Sequence, residues 1–198
     1  MHDAPLIRRA VKADARSIAK RLAWAFADDP AFAWLIPDDR KRTRLLPGLF
    51  KAMVRSAIRN GRVWRTPGND AVTVWRLPGA IEPSGLDKFR NLPSLLPFAM
   101  AAGPRARLLS ETLHRHYPGS KFRYLQIAGC DPRYQGKGLV SALLREGLDR
   151  AGTAREPVYL ETATEANVGF YQHFGFDMVG EFDVPEGGPH FWQLLWKP

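Results

Sequence analysis

The chain has 198 residues, enough for one domain and too few for two ordinary ones. With 45% hydrophobic and 25% charged residues it has a globular composition, which excludes a disordered, coiled-coil or collagen-like chain. No run approaches 18 uncharged apolar residues, and the start Met1–Arg9 lacks the apolar stretch of a signal peptide. The single Cys130 forms no internal disulfide and, alone, no zinc site, so a cytoplasmic monomer or homodimer with no membrane partner and no metal is expected.

Twenty-nine Lys and Arg against 20 Asp and Glu leave a net charge of +9. The excess concentrates between Asp38 and Arg65, where nine basic residues face two acids. Such a field speeds the approach of any anion, nucleic acid or phosphorylated cofactor alike. Lys51, Arg55 and Arg59 recur at four-residue spacing and stripe one helix face, which by the usual behaviour of charge runs is a solvated surface.

In chain order, Pro5–Val11 predicts a short strand, and Asp14 an N-cap for an amphipathic helix through Phe26. Asp28-Asp29-Pro30 stops that helix, and an aromatic segment follows from Ala31 to Pro37. A basic helix runs from Asp38 to about Asn60 with a kink expected at Pro47. Arg62–Thr66 and Ala71–Leu77 flank the turn residues Pro67-Gly68-Asn69-Asp70 and predict a β-hairpin. Pro78–Gly119 is helical in pieces, notably Pro104–His116. Phe122–Cys130 predicts a strand, Gln135–Ala151 a helix, Val158–Thr162 a strand and Glu165–Phe174 a short helix. Phe176–Phe182 and His190–Trp196 close the chain as an antiparallel pair.

The most informative segment joins the strand ending at Cys130-Asp131-Pro132 to the next helix through Gln135-Gly136-Lys137-Gly138-Leu139-Val140. Glycines let the backbone approach a ligand closely, and the unpaired N–H groups of a helix start form a positive dipole end. Together they suit a phosphate or pyrophosphate. The spacing is that of neither a P-loop nor a G-x-G-x-x-G fingerprint.

The spacing is similar to the Q/R-x-x-G-x-G/A signature of the GCN5-related N-acetyltransferase (GNAT) family, with Val140 where Gly or Ala is usual. Asn167-Val-Gly-Phe-Tyr171-Gln-His-Phe-Gly-Phe176 resembles a second family pattern. Tyr124-Leu-Gln-Ile, Tyr159-Leu-Glu-Thr-Ala163 and Val184-Pro-Glu-Gly-Gly-Pro189 resemble its puromycin N-acetyltransferase branch. The resemblance implies one α/β domain over 1–198, with a mixed, mostly antiparallel sheet splayed between strands 4 and 5 and flanked by helices. Residues 1–120 would supply acceptor-side helices and the first strands, and 121–198 the acetyl-CoA-binding core. It also implies direct acetyl transfer from acetyl-CoA to the primary amine of a small molecule in a ternary complex.

In that reading Gln135, Gly136, Lys137, Gly138, Leu139 and Val140 hold the pyrophosphate, and backbone groups of Ala128 and Cys130 pair with the pantetheine arm. Tyr171 is placed as proton donor to the CoA sulfur, and Glu161, at the end of strand 5, as a base facing the cleft or as a salt-bridged strand-end residue. Asn167 contacts pantetheine or caps its helix. An acyl-cysteine at Cys130 has no activating partner in sequence, and a small packed strand residue is the expected role. His116 is the alternative base. Trp24, Asp28, Asp29, Phe32 and Trp34 fall where the first helices of the family border the acceptor, and suit an apolar amine held by one carboxylate. The rival readings are a protein or peptide acetyltransferase, a non-enzymatic CoA-binding protein, and a nucleic-acid-binding protein using the basic stripe.

Overall fold

A computed structural model describes residues 6–198. Seven strands form one sheet: β1 (Arg8–Arg9), β2 (Gly61–Arg65), β3 (Ala71–Arg76), β4 (Arg123–Cys130), β5 (Val158–Thr162), β6 (Asp177–Asp183) and β7 (His190–Trp196), in the order β1-β2-β3-β4-β5-β7-β6. Six helices flank it: α1 (Ala15–Ala25), α2 (Pro30–Leu35), α3 (Asp39–Asn60), α4 (Gly85–Arg115), α5 (Leu139–Thr153) and α6 (Ala166–Gln172). Every strand pair is antiparallel except β4 with β5. Among the described residues no helix is long and apolar enough to cross a membrane.

The elements form for local reasons. Asp29 caps α2 by accepting from the Ala31 and Phe32 N–H groups at 3.0 and 3.3 Å, with Pro30 at the first helical position. Asp38 caps α3 through the Lys41 N–H at 2.6 Å. The β2–β3 hairpin closes on Asn69 in the left-handed region (φ 59), while the Thr66 hydroxyl accepts from the Asp70 and Ala71 N–H groups.

Four expectations are corrected. The first strand is only Arg8–Arg9, and its predicted start at Pro5 lies outside the described residues. Asp14 does not cap α1, because its carboxylate accepts from the Val11 N–H and pairs with Arg65 at 3.0 Å. Helix α3 runs through Pro47 without interruption. The helix expected from Gln135 starts at Leu139, since Gly136 (φ 75) and Gly138 (φ 69) are left-handed. The helical pieces predicted between Pro78 and Gly119 are present: α4 is two helical stretches that meet at Gly103 (φ 48, ψ −128), the second starting at Pro104.

Each face of the sheet carries a core. On one, Ile18, Leu22, Leu46, Phe50 and Val54 from α1 and α3 meet Val63, Val74 and Ile127. On the other, Leu143, Leu144 and Leu148 from α5 meet Trp75, Leu125, Leu160, Leu194, Phe176 and Tyr171. Fully burying each such side chain contributes roughly 1.5–3 kcal/mol, as an upper estimate. Gly147 sets the depth of α5: a Cβ there would stand 2.0 Å from the Trp75 ring.

Two irregularities in β4 position the site. Register with β3 shifts between Val74 and Trp75, whose partners Ile127 and Leu125 leave Gln126 as the extra residue of a bulge. Register with β5 covers only Arg123↔Val158 and Tyr124↔Tyr159. Beyond Tyr124 the two parallel strands part, and β4 from Leu125 to Cys130 has β3 on one edge and no strand on the other.

Candidate active site

The unpaired stretch of β4 leads directly into the start of α5. Cys130 ends β4, Pro132–Tyr134 forms a single 3-10 turn, and Gln135–Gly138 leads into α5 as an exposed loop. A Cβ built on Gly136 or Gly138 meets nothing within 4 Å, so the glycines serve backbone conformation and outward access rather than internal packing. The first bond inside α5 runs from the Ala142 N–H to the Gly138 carbonyl at 3.0 Å, which leaves the N–H groups of Leu139, Val140 and Ser141 without intrahelical acceptors. Residues 135–140 thus fit a pyrophosphate, and the open edge of β4 fits an extended amide-bearing chain. The Val140 side chain packs inward, half-buried against the α5-side core, so its bulk lies in the protein rather than at the exposed loop.

The loop is anchored by Asp131. Its carboxylate is buried and bonded to Arg133 (Nε 3.1 Å, Nη2 2.8 Å, backbone N–H 3.1 Å) and to Arg21 of α1, while its own N–H donates to the Asp70 carbonyl at 2.7 Å. Arg133, with burial opposing and Arg21 assisting, holds this carboxyl well below the usual carboxylate range. One residue thereby ties α1, the β2–β3 turn and the loop together. Sequence reasoning missed it: the signal was an acid at a strand end followed by Pro and Arg, but the distant partner Arg21 is set by tertiary packing.

Ala128 and Cys130 lie on the free stretch of β4 with half-buried side chains directed at the α5 core. Burial, then the Asp131 and Asp70 carboxylates, push the Cys130 thiol up, which disfavours a nucleophilic thiolate.

Glu161 is on β5 where the strands have parted, on the face shared by Tyr159, Gln193 and Tyr124. Both its carboxylate oxygens are out of contact with solvent and have no hydrogen-bond partner of standard geometry. Burial pushes its carboxyl up to about 8, with the nearby Tyr124 hydroxyl offsetting only part of that cost. Around it stand Tyr117, Tyr124 and Tyr159, with ring centroids 5.5–6.2 Å apart and phenols raised by burial first and by Glu161 second. The carboxyl is buried at both oxygens and has no ion pair among the described residues, so it is not a salt-bridged strand end.

Tyr171 on α6 is buried against Phe170 and Phe176 (centroids 5.3 and 5.7 Å) on the opposite face of the sheet, and burial raises its phenol. Asn167 does not cap α6: its Nδ2 donates to the Thr162 hydroxyl at 3.1 Å, joining the helix start to the end of β5. His116 stacks on Phe182 at 4.0 Å and 8°, and its Nδ1 contacts the Thr112 carbonyl at 2.8 Å.

The predicted acceptor residues are not brought together. Trp24 is 53% exposed beside the 3-10 turn that precedes the glycine loop, with Arg133 and Arg21 over its ring at 5.4 and 5.9 Å. Asp28 is fully exposed. Asp29 is occupied capping α2, and burial raises its carboxyl against those two backbone bonds. Phe32 packs with Phe26 and Phe50 in the α1–α3 core. Trp34 alone packs against the cluster of Ala31, Phe182, Val184 and Phe191, contributed by α2 and the β6–β7 pair. Sequence reasoning did not single out Phe182, Phe191 or Gln193, because alternation assigns them a face but not a neighbour.

A model of the acetyltransferase (GNAT) family matches residues 110–176. An uncharacterized N-acetyltransferase of Schizosaccharomyces pombe is 26% identical over 190 residues, covering 85% of this chain and 73% of that protein. A Corynebacterium glutamicum structure described as histone acetyltransferase HPA2 and related acetyltransferase superposes with a TM-score of 0.75 at 25% identity, covering 98% of this chain and 97% of that one. Arylalkylamine N-acetyltransferase 2 of Aedes aegypti shares the fold, with a TM-score of 0.64 at 13% identity and coverage of 97% and 98%. With the splayed strands and the glycine loop, these matches define an acyl-CoA-dependent acyltransferase. The chain is similar to the GNAT acetyltransferase family, whose co-substrate is acetyl-CoA.

Proposed function

We propose that this chain acetylates the primary amine of a small molecule, with Glu161 as general base and Tyr171 as proton donor. The observation that carries the reading is Glu161, buried at both oxygens, unpartnered and poised near 8 where the strands part. Acetyl-CoA supplies the activated acyl carbonyl that the amine attacks. In this reading the N–H groups of residues 136–140 and the free edge of β4, including Ala128 and Cys130, orient it. Gln135 and Lys137 flank the loop on its exposed side, with the Lys137 ammonium 4.8 Å from the Tyr134 ring centre. Asn167 acts indirectly, by fixing α6 to β5.

An amine must be neutral to attack, and a carboxylate with its pKa near 8 takes the ammonium proton at neutral to mildly basic pH. Tyr171, kept protonated by burial, holds a proton for the departing sulfur. Residues 1–120 supply one part of the acceptor wall through Trp34 and α4. The β6–β7 pair supplies the rest, so 121–198 serves both ligands. The named groups all come from one chain, which a monomer or a homodimer of complete sites accommodates.

Flat apolar walls (Trp34, Phe182, Phe191, His116) around a single carboxyl suit an aromatic or apolar monoamine, the class that the puromycin-branch likeness also implies. The Corynebacterium relative's description favours a second reading, a protein acceptor. Thiol release from acetyl-CoA, measured over aromatic amines, aminoacyl compounds, polyamines and lysine peptides, separates the two. Aromatic monoamines should lead, and a panel led by lysine peptides would replace this reading with the second.

A further inference from the structure

Gly85–Gly103, the first part of α4, is apolar on its solvent side. Leu86, Phe89, Leu92, Leu96 and Met100 are all exposed, Phe89 at 75% and Met100 at 77%. At 100° per residue they fall on one face, while Asp87, Asn91, Phe98 and Ala102 occupy the opposite, buried one. An exposed stripe of this kind is the reverse of an ordinary surface helix.

The stripe is bordered by cations. Lys88 lies along one margin and Arg90 along the other, both exposed. Arg90 also lines a cleft of about 330 Å³ with Lys12, Arg55, Arg59 and Ile58. Arg59 is partly neutralised by Asp87 (Nε–Oδ1 2.6 Å). Arg55 has a buried Nε without a hydrogen-bond partner. This cleft sits by the C-terminal end of α3 and Gly61, whose register through Arg76 leads to Tyr124 at the start of β4, whereas the glycine loop follows Cys130 at its far end. The cations are therefore not those that meet acetyl-CoA.

We propose that this face docks on an anionic lipid membrane surface, with Leu86, Phe89, Leu96 and Met100 entering the headgroup boundary and the Lys12–Arg55–Arg59–Arg90 cleft taking lipid phosphates. Charge decides the occupant. A second copy seated by a two-fold contact would put this patch on itself, and its cations against cations. An anionic bilayer complements both the apolar stripe and its basic margins. Nucleic acid would use the cations and leave five large apolar side chains unexplained. The sequence reading expected no membrane partner because the chain lacks an apolar span, but docking at the interface needs no span.

The test is co-sedimentation of the full chain with phosphatidylcholine vesicles and with vesicles holding about 30 mol% phosphatidylglycerol. Binding should appear on the anionic vesicles alone and weaken on raising salt from about 0.1 to about 1 M. Phe89→Ser/Met100→Ser should lower it about tenfold or more, and Arg90→Glu about fivefold, with thermal melting and thiol release unchanged because these side chains are exposed and outside the site. The proposal is overturned if the wild type ignores anionic vesicles, or if the serine variant binds them as well as the wild type. A concentration-dependent dimer in sedimentation velocity that the serine variant abolishes would also overturn it, making the occupant a second copy.

Discussion

Gln193 and Glu161 are register partners across β5 and β7, yet the Gln193 amide donates not to the carboxylate but to the Tyr159 hydroxyl at 2.8 Å and the His116 carbonyl at 2.7 Å. The amide paired with Glu161 across the strands is thus spent elsewhere, which leaves the Tyr124 hydroxyl as the donor beside the carboxyl. A hydrogen bond donated by that amide to the carboxylate would favour its charged form and lower its pKa, so this arrangement leaves the group basic enough to accept a proton near neutrality.

The rate should therefore follow the ionisation of Glu161. We expect kcat/KM for a weakly basic aromatic amine, already neutral over the range, to rise with pH through an apparent pKa near 8 and then level. Glu161→Gln should lose about 10²–10⁴ in turnover together with that limb of the profile, while acetyl-CoA affinity stays near wild type. A variant retaining full activity and the same profile removes Glu161 from the mechanism.

The same group has a stability signature. Its carboxyl is raised from 4.5 unfolded to about 8 folded, so the neutral form favours the native state. That contribution is complete below about pH 4.5 and is lost as pH rises through 8, to the extent of a few kcal/mol. Glu161→Gln cannot ionise. Its melting temperature should gain on the wild type between about pH 5 and pH 8 and then level, as read by parallel thermal scans. A constant difference across that range would mean that the carboxyl is ionised in the native protein throughout.

At the loop, acetyl-CoA at a hundredfold excess over its dissociation constant should stabilise the fold by about 2.7 kcal/mol. Gly138→Asp should abolish that shift, because it puts a carboxylate at the phosphate position and a side chain on a left-handed residue (φ 69). Absence of any wild-type shift at millimolar acetyl-CoA contradicts the assignment of the loop.

Tyr171→Phe keeps the ring that packs on Phe170 and Phe176, so its melting curve should match the wild type. Turnover should fall about 10²–10⁴, with little change in acetyl-CoA affinity. Unaltered turnover makes Tyr171 a packing residue only.

Sequence alone determined the parts of this protein whose information is local. The order of strands and helices, the hairpin at Asn69 and the break before Pro104 follow from periodicity and turn chemistry over a few residues. The glycine loop is legible for the same reason, since left-handed backbone at 136 and 138 admits little but glycine. What only the tertiary structure decided depends on residues far apart in the chain. Asp29 reads as an ammonium partner until its cap on α2 is seen, and Trp24 as an acceptor wall until it emerges beside Arg133. Asp131 becomes an anchor only through Arg21, 110 residues away. Glu161 acquires its chemistry from burial, from Tyr124 on another strand and from a glutamine engaged elsewhere. A pKa is set by everything within a few ångströms, and periodicity names the face a side chain occupies without naming what faces it.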